Sequence, residues 1–298
     1  MSKERQPNNK KEHFSIFGPA ILLVLIGFIL TYQFVQPAPP DQIRIASGQK
    51  EGAYYLFAQQ YQQRLQQENI HLDIINTAGS IENIERLKSG EVEAALIQGG
   101  TTSTDSTEAD LRSLGSLYFE PIWVFHRKEL PVARLTDLFN KRIAIGAEGS
   151  GTRALALQLL ADNDINPSNT PLLTLSGRAA ADALLNGDIE SAFFVASPMS
   201  PVVRALLDSD QIQLMSFERA DAYTRTHRYL SSVILPEGVI NMRRNLPGQK
   251  TIVLAARANL VVREALHPAL KDLLLQAAQK VHEGGGWFEE NGQFPAPD

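Results

Sequence analysis

Short apolar segments that end in small residues recur along the chain, and each precedes a segment with helical periodicity. The first three begin at Ile43, Leu72 and Ala94 and run into glycine, serine or threonine. After the first of them, apolar residues recur at the spacing of one helical face, at Tyr54, Phe57, Ala58, Tyr61 and Leu65. This alternation predicts the strands and helices of an α/β fold.

The same alternation returns from Arg142. Residues 143–145 predict a strand and residues 152–160 a helix, and the turn between them is rich in glycine. Residues 117–127 are apolar and aromatic and contain Pro121, so they predict a strand, broken at the proline, that crosses between two lobes. Further strand and helix segments are predicted at residues 172–175, 179–185, 192–195 and 266–282, and the last should pack back on the first lobe.

The fold class that these series predict is α/β, with two doubly wound lobes joined by a hinge. The first lobe covers residues 42–118 and resumes at 236–298, and the second covers residues 119–235. Ligands of open α/β sheets bind at the carboxyl ends of parallel strands. We therefore expect a cleft between the lobes, which closes by hinge motion.

The N-terminal region predicts one transmembrane helix. No charged residue occurs between Phe14 and Pro40, and a helix of about 20 apolar residues crosses a bilayer. The positive-inside rule then makes residues 1–13 a cytoplasmic tail, 14–35 an anchor and 36–41 a proline-rich spacer. The folded part would lie in the periplasm or outside the cell. A cleaved signal peptide is the alternative, although its apolar region is usually 7–15 residues.

Composition narrows the function classes. The 298 residues carry a formal net charge of -5 and no basic stripe, which argues against a nucleic-acid partner. The absence of cysteine excludes disulfides, thiolate metal sites and a lipid-modified cysteine. The six histidines show no metal-ligand spacing, and no serine-histidine-acid motif is present. We expect no metal, no cofactor and no enzymatic activity.

Candidate ligand-binding residues follow the strands of the first lobe. They are Ser47, Gly48, Tyr54 and Tyr55 after the first strand, Thr77, Gly79 and Ser80 after the second, and Gln98 after the third. Each type also has a purely structural interpretation. Ser47 could simply end its strand without touching a ligand. Ser80 could serve as the N-cap of a helix and nothing more, and Gln98 could bond to loop backbone.

The second lobe offers an anion cradle at Gly149, Ser150 and Thr152. This turn lacks both the G-x-G-x-x-G order and the P-loop lysine, which argues against a nucleotide. Arg153 follows in the first turn of a helix, where a cation opposes the helix dipole, so a ligand carboxylate would explain it. Arg178 follows the same logic. Plain solvation is the alternative for both.

Several segments resemble the TAXI family of solute receptors, which serve tripartite ATP-independent periplasmic (TRAP) transporters. The resemblance runs from about Ile43 to Pro201 and rests on segments in matching order, at residues 51–55, 77–83, 115–118, 143–152 and 187–194. It implies a type II periplasmic-binding-protein fold, a small carboxylate or amino acid such as glutamate as ligand, and a TRAP-type permease as partner. Glu51 stands where the family commonly has glycine, and residues 235–238 lack the usual tyrosine-containing segment.

The sequence therefore supports two hypotheses of function. The first is an extracytoplasmic solute-binding protein that captures a small anionic solute, glutamate-like, in the interlobe cleft for a TRAP-type transporter. The alternative is a membrane-anchored ectodomain that senses a ligand or binds a partner without transport.

Overall fold

A computed structural model describes residues 17–28, 38–50, 52–101 and 110–297 of the chain. Residues 1–40 and Asp41–Asp298 belong to two separate units. In the first unit, residues 17–28 form helix α1, with exposed apolar side chains such as Leu23 and Phe28. Among the helices described, none is both long and apolar enough to cross a membrane. The predicted anchor lies partly outside the described residues and stays a prediction, as does the cleaved signal peptide.

The second unit alternates strands and helices, as predicted. Its strands are β1 (Gln42–Ala46), β2 (His71–Ile75), β3 (Ala94–Gln98), β4 (Leu111–Arg127), β5 (Ile143–Ala144), β6 (Leu172–Leu173), β7 (Ser191–Val195), β8 (Ile212–Leu214), β9 (Ser231–Leu235) and β10 (Thr251–Arg263). Its helices are α2 (Ala53–Gln67), α3 (Ser80–Ser89), α4 (Gly151–Ala161), α5 (Gly177–Asn186), α6 (Pro201–Leu207), α7 (Ala220–Thr226) and α8 (Pro268–His282).

The ten strands of the described residues belong to one mixed sheet with the order β2-β1-β3-β10-β4-β7-β5-β6, where β8 pairs with β4 and β9 with β10. The outer pairs β1–β2, β1–β3, β5–β6 and β5–β7 are parallel. The central pairs of β10 and β4 are antiparallel. The predicted α/β class is confirmed, but β10 at the centre was not predicted.

The long strands β4 and β10 connect two halves of the sheet. The first half contains β1–β3, and the second contains β5–β9. Contrary to the expected break, β4 continues through Pro121, which pairs with Ala255 while Ile122 and Glu120 keep their partners on β10. A proline removes only one backbone donor, so pairing on either side of it can hold the strand together.

The hydrophobic core is divided between the two halves. In the first half α8 packs on α2, with Leu270 and Leu274 in one cluster with Tyr61 and Leu65, which confirms the predicted return of the last helix. In the second half, Ile143, Phe193 and Leu254 share another cluster. Because Leu254 lies in β10, strand β10 contributes to the second half before it reaches the first. The predicted lobe boundaries themselves stay predictions.

Candidate functional site

A buried asparagine organises the loops that follow β1 and β2. The Asn83 side chain, in α3, is fully buried and donates to the carbonyls of Ser47 at 2.6 Å and Leu96 at 2.7 Å. It also accepts a hydrogen bond of 2.5 Å from the Thr77 hydroxyl. One side chain thus joins strands β1 and β3 and the loop after β2. Asn83 lies inside a segment used for the family resemblance, yet sequence reasoning missed its role.

The start of α3 differs from the prediction. Ser80 is not an N-cap: Gly79 occupies that position, and its φ of 135° and ψ of -154° are accessible essentially to glycine alone. The Ser80 hydroxyl instead accepts the backbone N–H of Gln98 at 2.9 Å. The Glu82 carboxylate accepts the N–H of Ala78 at 2.7 Å. Ser80 therefore links α3 to the end of β3.

The start of α4 meets the start of α3. Ser150 caps α4, since its hydroxyl accepts the N–H of Arg153 at 3.2 Å and donates to the carbonyl of Ala147 at 2.7 Å. A Cβ added to Gly79 would lie 3.5 Å from the Cα of Ser150, and one added to Gly149 would lie 3.5 Å from the Cβ of Ala78. The predicted residues of both series thus meet at what we call the α3/α4 junction, residues 78–80 and 149–153.

Two buried donors at this junction have no hydrogen-bond partner among the described residues. They are Nε2 of Gln98, a side chain 3% exposed, and Nη1 of Arg153. The Gln98 amide lies against Gly151, where an added Cβ would overlap its Oε1, and Arg153 is two residues further along α4. A buried donor without an acceptor is costly. The arrangement is therefore suited to a ligand that supplies acceptor oxygens.

An open depression of about 490 Å³ lies beside the junction. It is lined by Gln49, Lys50, Asn76, Thr77, Ala78 and Glu82. Thr77 and Ala78 belong to this depression and lead into α3, so the depression borders the junction on the α3 side.

The other predicted residues occupy different positions. A Cβ added to Gly48 would lie 3.8 Å from the Tyr54 side chain. Ser47 is fully buried and donates to the carbonyl of Ile75, as a strand-ending residue would. Tyr55 and Thr152 are half-buried. Arg178 is not brought to the junction: its side chain is 82% exposed and forms an ion pair with Asp182 at 2.8 Å. An i, i+4 carboxylate on its own helix accounts for this arginine.

A buried carboxyl lies behind Tyr54. Glu120 of β4 is 4% exposed and accepts hydrogen bonds from the hydroxyls of Tyr54 at 2.6 Å and Tyr118 at 3.4 Å. Burial raises the pKa of Glu120 to about 7, because desolvation outweighs the two hydrogen bonds that lower it. Sequence reasoning missed Glu120, although a lone acid in the apolar run of residues 117–127 was a visible signal.

A series of polar side chains holds Tyr229 against the end of β3. Its ring fills the space where a Cβ at Gly100, with φ of 83°, would lie. The Tyr229 hydroxyl donates to Gln158, whose amide donates to His227 Nδ1 at 3.1 Å. His227 Nε2 lies 2.6 Å from the Asp162 carboxylate. Together they fix the Tyr229 ring against Gly100, two residues after Gln98. Sequence reasoning missed these residues as well.

The mixed sheet, with two long strands shared by its halves, is similar to the fold of solved solute-binding proteins. The alkanesulfonate-binding protein SsuA from Xanthomonas axonopodis pv. citri, solved with MOPS bound, matches with a TM-score of 0.54 at 18% identity, over 83% of this chain and 76% of that one. A substrate-binding protein of an amino acid ABC transporter matches with a TM-score of 0.50 at 15% identity, over 83% and 95%.

The same fold occurs in the effector-binding domain of BenM with its effector benzoate. The TM-score is 0.54 at 14% identity, over 85% of this chain and 97% of that domain. The NMT1-like family matches residues 45–270, and the chain belongs to this family.

Replacing Asn83 should destabilise the protein. Asn83→Ala leaves the carbonyls of Ser47 and Leu96 without their buried donor, and each such loss costs about 1–3 kcal/mol. We expect the free energy of unfolding in urea to fall by about 2–5 kcal/mol. Ser89→Ala on the exposed end of α3 is the control and should change it by less than about 0.5 kcal/mol. Equal stability of both variants would contradict this role.

Glu120 should make stability depend on pH. Its pKa of about 7 in the folded state exceeds the ordinary 4.5, so the folded protein binds the proton more tightly. The stability that it contributes is complete below about pH 4.5 and is lost as pH rises through about 7, by about 3 kcal/mol in total.

Urea unfolding of the wild type between pH 4.5 and 8, compared with Glu120→Gln, measures this contribution. The difference between the two proteins should change with pH in that window. Glu68→Gln, at an exposed position, should follow the wild type. A Glu120→Gln profile parallel to the wild type would contradict the raised pKa.

Proposed function

We propose that this protein captures a small anionic solute at the α3/α4 junction and acts as the binding component of a transport system. The observation that carries the proposal is the pair of buried, unpartnered donors, Gln98 Nε2 and Arg153 Nη1. An anion between them would satisfy an amide and a guanidinium together, and a guanidinium binds a carboxylate through two parallel hydrogen bonds.

The helix geometry favours the same ligand charge. Helices α3 and α4 begin at the junction, and their first backbone N–H groups and dipoles favour negative charge. SsuA was solved with MOPS, a sulfonate, and the BenM domain with benzoate, a carboxylate. Within this class we propose a carboxylate or an amino acid of the glutamate type, and a sulfonate is the competing outcome of the binding test.

The finer assignment rests on the sequence. We propose the TAXI subtype and a TRAP-type permease as partner, on the ordered segments between residues 43 and 201. The proposal includes no catalysis. A sensing ectodomain is the second candidate, and the fold likeness to the BenM effector-binding domain favours it. Co-purification of a multi-span permease with the full chain would support the transport role over sensing.

Removing the guanidinium should weaken binding. In calorimetric titrations of the full chain in detergent with L-glutamate, benzoate and MOPS, Arg153→Ala should reduce the affinity for whichever anion binds by roughly ten- to a hundredfold. The loss corresponds to a charge-assisted hydrogen bond of about 1.5–3 kcal/mol. Arg153→Lys should recover only part, because the ammonium lacks the planar fork.

The matched control is Arg178→Ala, which removes an arginine from the first turn of α5, where the side chain faces solvent. It should bind like the wild type. Unchanged affinity in Arg153→Ala would remove this arginine from the site. Failure of all three anions to bind the wild type would argue against the proposed ligand class.

The N-terminal segment should remain attached as a membrane anchor. The uncharged stretch of residues 14–40 and the exposed apolar side chains of α1 support this part of the proposal. Mass spectrometry of the protein extracted from membranes should find the peptide with Lys3 to Lys11 still present. A mature N-terminus near Ala38 or Pro39 would instead indicate a cleaved signal peptide.

A further inference from the structure

A chain of buried polar groups runs from the α3/α4 junction to Glu120. The N–H of Gln98 donates to Ser80 Oγ at 2.9 Å, and Tyr54 donates to Glu120 at 2.6 Å. The Ser80 side chain lies beside the Tyr54 hydroxyl and acts to lower its pKa. All four residues are at most 8% exposed. These groups connect the buried carboxyl of Glu120 to Gln98, whose side-chain Nε2 has no acceptor among the described residues.

We propose that capture of the anion is coupled to protonation of Glu120, so that the solute binds together with one proton. This inference rests on the proposed function and adds the regulation of the same site. The proton comes from solvent and remains on the carboxyl while the anion is bound. No covalent bond to the solute forms or breaks.

Hydrogen-bond directions supply the coupling. An ionised Glu120 only accepts, so Tyr54 must donate to it and the Ser80 hydroxyl then donates to Tyr54. A protonated Glu120 can donate to Tyr54, and Tyr54 can then donate to Ser80. Ser80 already accepts the Gln98 N–H, so its own proton becomes available at the junction. Protonation of Glu120 thereby adds a donor for the anion.

Repulsion between a bound anion and an ionised Glu120 would also favour the protonated carboxyl, and its size depends on which charged groups surround Glu120. The titratable groups that face Glu120 are the phenols of Tyr54 from α2 and Tyr118 from β4, and the residue opposite on β10 is Ala256. Further out, His282 of α8 stacks on Tyr118 at 5.4 Å, and Glu289 accepts the N–H of Phe119 at 3.0 Å.

No cation among the described residues contributes to the charge balance of Glu120. A bound anion would therefore make ionisation of Glu120 less favourable. The pKa of Glu120 is about 7, so a change in its ionisation is measurable near neutral pH.

Calorimetry can count the protons. The full chain is titrated at pH 7 with L-glutamate and with benzoate in two cationic buffers of different ionisation enthalpy, and the difference in heat gives the protons taken up. At pH 7 we expect a net uptake of up to about half a proton per bound anion, because a carboxyl with a pKa of about 7 is already half-protonated, and the uptake should rise toward one proton at higher pH. Affinity should also fall by roughly three- to tenfold per pH unit above 7, the linkage limit for one proton being tenfold.

Variants locate the proton. Glu120→Gln should abolish the uptake, and Tyr54→Phe should reduce it because the chain from Ser80 is cut. Tyr61→Phe is the matched control: this buried phenol on the same helix bonds to His282 at 2.6 Å, outside the chain. It should keep the wild-type uptake.

The outcomes separate the two proposals. If none of the three anions binds, the proposed function fails and this inference fails with it. If an anion binds without proton uptake, or with equal uptake in Glu120→Gln, only the coupling is overturned. If Glu120→Gln does not fold, Tyr54→Phe decides, and unchanged uptake in that variant overturns the coupling.

Discussion

The antiparallel pairing of β4 with β10 is the constraint on which the rest of the structure depends. These two strands form the centre of the sheet, and each contributes to both hydrophobic halves. Because β10 also pairs with β3, it fixes where Gln98 lies relative to the second half. The contact between Gly79 and Ser150, and the burial of the Gln98 and Arg153 donors, follow from that placement.

Local patterns predicted the outer strands and helices well. Strands β1 to β3, helices α2 to α4 and the terminal helix follow from apolar periodicity and from glycine or serine at their ends, which are short-range signals. Strand β10 was not predicted, although the mostly apolar run of residues 251–263 follows the turn signal Pro247-Gly248 and was visible in the sequence. Its antiparallel partners are distant in sequence, so no local rule indicates where the strand inserts.

The sequence predicted which residues lie at the site, but not which partners their side chains bind. Ser80 at a helix start suggested a cap, but the N–H of Gln98 competes for its hydroxyl, and that N–H arrives through tertiary pairing. Arg153 and Arg178 looked equivalent in sequence, and only the fold buries one nitrogen of the first and exposes the second. Asn83 and Glu120 were missed because their partners come from several elements.

The position of β3 between β1 and β10 has a consequence for synthesis. A growing chain completes β1, β2 and β3 early, but the second edge of β3 stays unpaired until β10 emerges, about 150 residues later. At 5–20 residues per second the delay is on the order of ten seconds. An unpaired strand edge is a template for wrong pairing, so the edge of β3, the strand that ends in Gln98, is exposed to mispairing during that delay.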